Sequence, residues 1–158
     1  MKKIPELLLI GFLMFCCGSD GNMTKSDIDA ARKVEAESKI SLNSYDSMQF
    51  SQKILKAKAN QEITLTLYHK GMMNKQIMGH NFVLLKKNVD VESFARKAML
   101  AKDNDFITDE SNVIAYTRLI GGGESDTIVF TIEKPGVYIY LCTFPGHSQL
   151  MRGKLLIE

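Results

Sequence analysis

The chain has 158 residues, 45% of them hydrophobic and 24% charged, which is enough apolar material for one good core and leaves little room for a second domain. Twenty Lys and Arg against eighteen Asp and Glu give a formal charge of +2, with no dense basic run and no regular interleaving of aromatic residues. That pattern argues against nucleic acid as a partner and for weak long-range electrostatic steering.

The first segment, MKKIPELLLIGFLMFCCGSDGN, places Lys2 and Lys3 before an apolar run from Leu7 to Phe15, followed by Cys16 and Cys17. The run is too short to span a bilayer and suits an export signal over residues 1–16. A cysteine closing such a run resembles a bacterial lipoprotein cleavage site, with Cys17 before Gly18-Ser19-Asp20 as the lipidated residue; Met14, Phe15 and Cys16 stand where that pattern has small residues. The alternative is an ordinary secretory signal. Either way the protein is expected to be exported, to the periplasm or a membrane surface; under the lipoprotein reading it touches membrane only through the N-terminal lipid. Beyond this region Cys142 is the sole cysteine, so no disulfide can form within the domain. A lone thiol in an oxidising compartment has to be buried or bound.

Residues 17–44 read as a polar tether, with Ile28, Ala31 and Val34 as a weak helical stripe. Compact structure is expected near Met48, within a domain over 45–158. There MQFSQKILKAKA is strand-like, and QEITLTLYH alternates with Ile63, Leu65 and Leu67 on one face. A loop, HKGMMNKQIMG, leads to a strand, HNFVLLKK. Helical spacing of Val91, Phe94, Ala95, Ala98 and Met99 follows behind an Asp90 cap. The remainder returns to strands: SNVIAYTRL, a GGGES turn, DTIVFTIE, a KPG turn suited to type II geometry, VYIYLC, and GKLLIE. Short strands at hairpin spacing predict an all-β antiparallel sandwich or flattened barrel with one inserted helix or flap.

The connection CTFPGHSQLM, between the last two strands, gathers Cys142, His147 and Met151. A thiolate and an imidazole bind borderline metals strongly, whereas a thioether helps little with zinc and suits copper. A trigonal copper site with a long axial Met needs a second imidazole. His69, His80 and His147 are the only histidines, and His80 in MGHN is the natural candidate. Taken singly, each residue reads more simply as packing or as a satisfied surface group; their combined spacing around a Phe-Pro-Gly turn points to a metal.

The stretches DSMQF, MGHNFVLL, VIAYTRLIGGGE and YLCTFPGHSQLMRGKLLIE together resemble the azurins, bacterial blue copper proteins of the cupredoxin family, over roughly residues 45–158. The resemblance implies a Greek-key sandwich. It also implies a trigonal plane of His80, Cys142 and His147 around one Cu(I)/Cu(II) ion, with Met151 and the Gly79 carbonyl as weak axial contacts. Asn81 and the backbone N–H of Phe144 would sit near the Cys142 sulfur. The chain departs from the family in lacking its disulfide, in carrying Phe82 for its core tryptophan and Tyr116 for a non-ligand histidine, and in its added tether. His69 matches the other non-ligand histidine, expected to be partly buried.

A fixed site without an open equatorial position binds no substrate, so the expectation is a single-electron carrier and not an enzyme. Met73, Met78, Phe144, Pro145 and Leu150 would form an apolar docking patch at an edge of His147, for a c-type cytochrome or another exported redox protein. Copper sequestration or delivery at the membrane surface is the alternative, and a metal-free interaction module a third reading.

Overall fold

A computed structural model describes residues 22–158; the expected export signal and Cys17 lie outside the described residues. Strand β1 (Lys39–Tyr45) begins well before Met48, because KISLNSY alternates and buries Ile40, Leu42 and Ser44. The polar segment expected to run as a tether to residue 44 therefore gives way to sheet at Lys39. The stretch expected as one strand after Met48 is two, β2 (Gln49–Phe50) and β3 (Ile54–Ala57), and β4 (Glu62–His69) follows. Next come a single-turn helix and β5 (Val83–Leu85). Strands β6 (Val113–Tyr116), β7 (Ser125–Thr131), β8 (Gly136–Leu141) and β9 (Arg152–Ile157) complete the chain.

The strands form two sheets, ordered β2-β1-β4-β7 and β3-β9-β8-β5-β6. Both are mixed, which corrects the antiparallel expectation: β1 runs parallel to β4, and β3 runs parallel to β9. The cause is the path of the chain. After β2 folds back on β1, β3 crosses to the other sheet, and β4 returns beside β1 in the same direction, as a crossover requires. The KPG segment likewise links the sheets instead of closing a hairpin. Gly136 has φ +140°, far from the roughly +80° of a type II turn.

Between the sheets lies a core in which Leu42, Leu65 and Leu67 meet Phe82, Tyr140 and Leu155, all fully buried. Each such side chain contributes about 1.5–3 kcal/mol of burial. The outer face of β5 is covered by a helix over Val91–Ala98, capped by Asp90, whose carboxylate accepts from the Ser93 N–H at 3.0 Å. Phe94, Ala95 and Ala98 pack on Val83, Leu85 and Leu141. That explains why VLL is apolar throughout: β5 is buried on both faces.

Three α-helices are present among the described residues instead of one. The first, α1 (Lys25–Ala31), starts at a capping box between Thr24 and Asp27 and buries Ala31. Asp27 pairs with Lys154 of β9, tying the pre-sheet segment to the five-stranded sheet. The second, α2 (Lys75–Met78), occupies part of the expected loop, and α3 is the Val91–Ala98 helix. No described helix is long and apolar enough to cross a membrane.

Candidate metal centre

The ends of β1, β4 and β8 and the starts of β5 and β9 converge at one end of the sandwich. Asn74 caps α2 through its side-chain oxygen, which accepts from Gln76 and Ile77 N–H at 3.2 Å each. The single turn ends at Gly79, where a Cβ would lie 2.5 Å from the Lys75 carbonyl and 2.9 Å from Leu119. Glycine alone allows this approach, and it brings the Gly79 carbonyl oxygen within 4.0 Å of Cys142 Sγ. His80 is then fixed by a two-way bridge to Ile120, with N–O distances of 2.9 and 2.8 Å.

The second ligand segment is shaped by its turn. Pro145 stands second and Gly146, at φ +83°, third in a turn closed by the His147 N–H donating to Phe144 O at 3.0 Å, the pattern of a type II turn. The chain then coils back so that Met151 N–H reaches His147 O at 2.8 Å and Cys142 N–H reaches Met151 O at 2.9 Å. Cys142, His147 and Met151 are thereby held in one closed loop.

His80, Cys142 and His147 each offer one donor atom, and these lie within 4.8 Å of one another. Sγ of Cys142 stands 3.9 Å from Nδ1 of His80 and 3.7 Å from Nδ1 of His147. All three residues and Met151 are buried. Backbone N–H groups of Asn81 and Phe144 both donate to the Cys142 sulfur, and burial outweighs them, pushing the thiol up to about 11. Burial, reinforced by the neighbouring histidines, drives His80 down to about 3; burial and then His69 drive His147 down to about 4. Two neutral imidazoles, each with Nδ1 toward the sulfur, and a thiol that must lose its proton form a donor set for a borderline or soft metal.

The side chain of Asn81, fully buried, links the two ligand segments. Its Oδ1 accepts from Thr143 N–H at 2.8 Å, and its Nδ2 donates to Thr143 Oγ1 at 2.8 Å and to the Asp105 carbonyl at 2.9 Å. Thus Asn81 gives the sulfur its backbone N–H while its amide braces the loop. Of the surface residues singled out, Met73, Pro145 and Leu150 are exposed, and Met78 and Phe144 half-buried. Sequence reasoning missed Met72, 94% exposed, and Ile77, 64% exposed; an MMNKQIM loop carries that signal in its composition.

His69 is buried outright, not partly. Its ring lies 4.4 Å from that of His80, and its Nε2 is 3.1 Å from Asp46 Oδ1. Asp46 also accepts from Met72 N–H at 2.8 Å, and so holds the loop that leads to α2. The Tyr45 carbonyl, which His80 Nε2 approaches at 3.0 Å, lies outside every quoted motif, and Asp46 opens DSMQF without anything in that stretch marking its part in holding the loop. Phe82 stacks on Tyr140 at 5.1 Å, and Tyr116 is exposed, with its hydroxyl on Glu110.

Comparison with known proteins bears on this geometry. A family model described as copper binding proteins, plastocyanin/azurin family, matches residues 36–158. Azurin-1 of Alcaligenes xylosoxydans xylosoxydans is 40% identical over 76% of this chain and 97% of its own length. Outer membrane protein H.8 of Neisseria gonorrhoeae is 40% identical over 73% of this chain and 65% of its own length. Among solved structures, an azurin (Az-iso2) of Methylomonas sp. strain J superposes with a TM-score of 0.69 at 39% identity, covering 76% of this chain and 97% of that one. A reduced auracyanin of Roseiflexus castenholzii gives a TM-score of 0.71 at 31% identity, covering 78% and 99%. With His80, Cys142 and His147 gathered to hold one ion, the chain belongs to the plastocyanin/azurin family of copper-binding proteins.

Proposed function

We propose that the protein is a single-electron carrier with a type 1 copper site, and not an enzyme. The observation that carries this is the buried convergence of His80, Cys142 and His147, with two backbone N–H groups already aimed at the sulfur. A copper ion held there would supply reversible Cu(II)/Cu(I) chemistry. The chain's part is to keep the donors still. His80 is bridged to Ile120, the Cys142–Met151 loop is closed by its own backbone, and Asn81 ties one segment to the other. Donors that do not move between oxidation states make electron exchange fast. Met151 and the Gly79 carbonyl would also help to hold the ion, as weak contacts, and Asn81 and Phe144 would moderate the charge on the sulfur.

Electrons would enter and leave through the apolar surface of Met73, Met78, Phe144, Pro145 and Leu150, to which Met72 and Ile77 add area. A brief contact with a c-type cytochrome or another exported redox protein suits such a patch. The protein is exported, with residues 1–16 as signal, 17–38 as the segment leading to the first strand at Lys39, and Cys17 as lipid anchor; the similarity to a protein named for the outer membrane supports that placement.

The same similarity favours a second reading, in which a copper site at the membrane surface stores or delivers the metal. Copper-loaded protein separates the two: rapid, repeated oxidation and reduction with the metal retained supports the carrier. Transfer of copper to a competing chelator faster than electron exchange would reject it.

A further inference from the structure

Residues 102–107 form a short flap whose backbone takes a costly path. Asp105 and Phe106 have φ of +48° and +59°, consecutive left-handed residues, of which Phe is poorly suited to that region. The path is held from both sides. Ile107 is buried in the α3 cluster, Asn104 brackets it through its amide on the Ile107 carbonyl at 2.9 Å, and the Phe106 N–H donates to Ala101 O at 2.9 Å. Strain maintained so fully points to a use.

Asp105 contacts the segment that carries His80, and Phe106 the loop that carries Cys142 and His147. The Asp105 carbonyl accepts from Asn81 Nδ2 at 2.9 Å, and its carboxylate accepts from Leu119 N–H at 3.2 Å. Phe106 places its ring edge-on to Phe144, with centroids 5.3 Å apart. Asn81 and Phe144 are the two residues whose N–H groups donate to Cys142 Sγ. Of the Asn81 side-chain bonds, only the one to Asp105 comes from outside the two ligand segments.

We propose that Asp105 and Phe106 are positioning residues that hold the two sulfur donors in place and thereby raise the reduction potential of the copper site. The inference rests on the electron-carrier reading. A donated N–H draws charge from the sulfur, so loosened donors leave the thiolate more basic, favour the oxidised metal and lower the potential.

The test compares native protein with Phe106→Leu and Asp105→Ala, and with Leu100→Ser as control, since Leu100 is 88% exposed nearby and lies outside these contacts. Loaded with one copper, both flap variants should show a lower reduction potential and a displaced thiolate-to-copper band, while the control matches native protein. In metal-free protein, exchange of the Asn81 and Phe144 amide hydrogens should quicken by about tenfold, with Leu65 and Leu155 amides unchanged. Unaltered potential and exchange in both variants would overturn the proposal, as would uniform acceleration of every amide, which marks a purely structural role. A native protein with no blue band would sink the carrier reading, and the exchange arm would still decide this one.

Discussion

His80 donates its Nε2 proton to the backbone carbonyl of Tyr45 at 3.0 Å. A carbonyl can only accept, so the ring is locked as the tautomer whose bare Nδ1 faces Cys142, 3.9 Å away. The end of β1 thus selects the ligand atom of a residue thirty-five positions later.

That arrangement fixes the proton balance of metal uptake. With His80 and His147 held down to about 3 and 4 and the Cys142 thiol pushed up to about 11, the metal-free site at neutral pH carries one displaceable proton, on sulfur. Binding of Cu(II) should release about one proton per metal, read by titration in weakly buffered solution.

The same shifts make metal-free protein acid-sensitive. Both imidazoles bind protons more readily unfolded, with an ordinary value of 6.5, than folded. Their contribution is complete above pH 6.5 and is lost as pH falls toward 4 and then 3. Stability from denaturant titrations should fall by up to about 1.4 kcal/mol per pH unit for each imidazole in that window; a flat profile would contradict the burial of both rings.

Gly153 lies opposite Tyr140, whose ring occupies the space a Cβ would take, and the Lys53 carbonyl would stand 2.7 Å away. Tyr140 cannot yield, because it stacks on Phe82 and donates to Gln52 O at 2.6 Å. Gly153→Ala should cost about 3 kcal/mol in unfolding free energy, and a midpoint equal to that of native protein would show the pocket to be looser than described.

Asp27 is held down to about 2, chiefly by its hydrogen bond from Lys154 and then by Thr24. Asp27→Ala removes the carboxylate half of the capping box and the pair with Lys154, and should cost about 1 kcal/mol, seen as faster amide exchange in Lys25–Ala31 with copper affinity unchanged. In native protein α1 keeps this stabilisation above pH 3.8 and loses it as pH falls toward 2.

The chemistry-bearing residues were legible because metal coordination confines them to a few residue types at short spacing, as in CTFPGHSQLM. Strand β4 was legible for a similar reason, since EITLTLYH alternates cleanly. Strand β1 was not, because Ser44 fills a buried position and polar residues surround Ile40 and Leu42. Parallel pairing left no mark either, since it follows from where β3 crosses and not from any residue type. The roles of Tyr45 and of Asp46, which opens DSMQF, stayed unread because one acts through its carbonyl and the other through backbone N–H groups of a distant loop.

The central claim is that Cys142, with His80 and His147, holds one redox-active copper. The most direct measurement is the visible spectrum of purified protein with one equivalent of Cu(II), before and after ascorbate, beside Cys142→Ser. The account predicts an intense blue band from thiolate-to-copper charge transfer in native protein alone, bleached by ascorbate and restored by reoxidation. Native protein without the band, or a band that survives in Cys142→Ser, would contradict it.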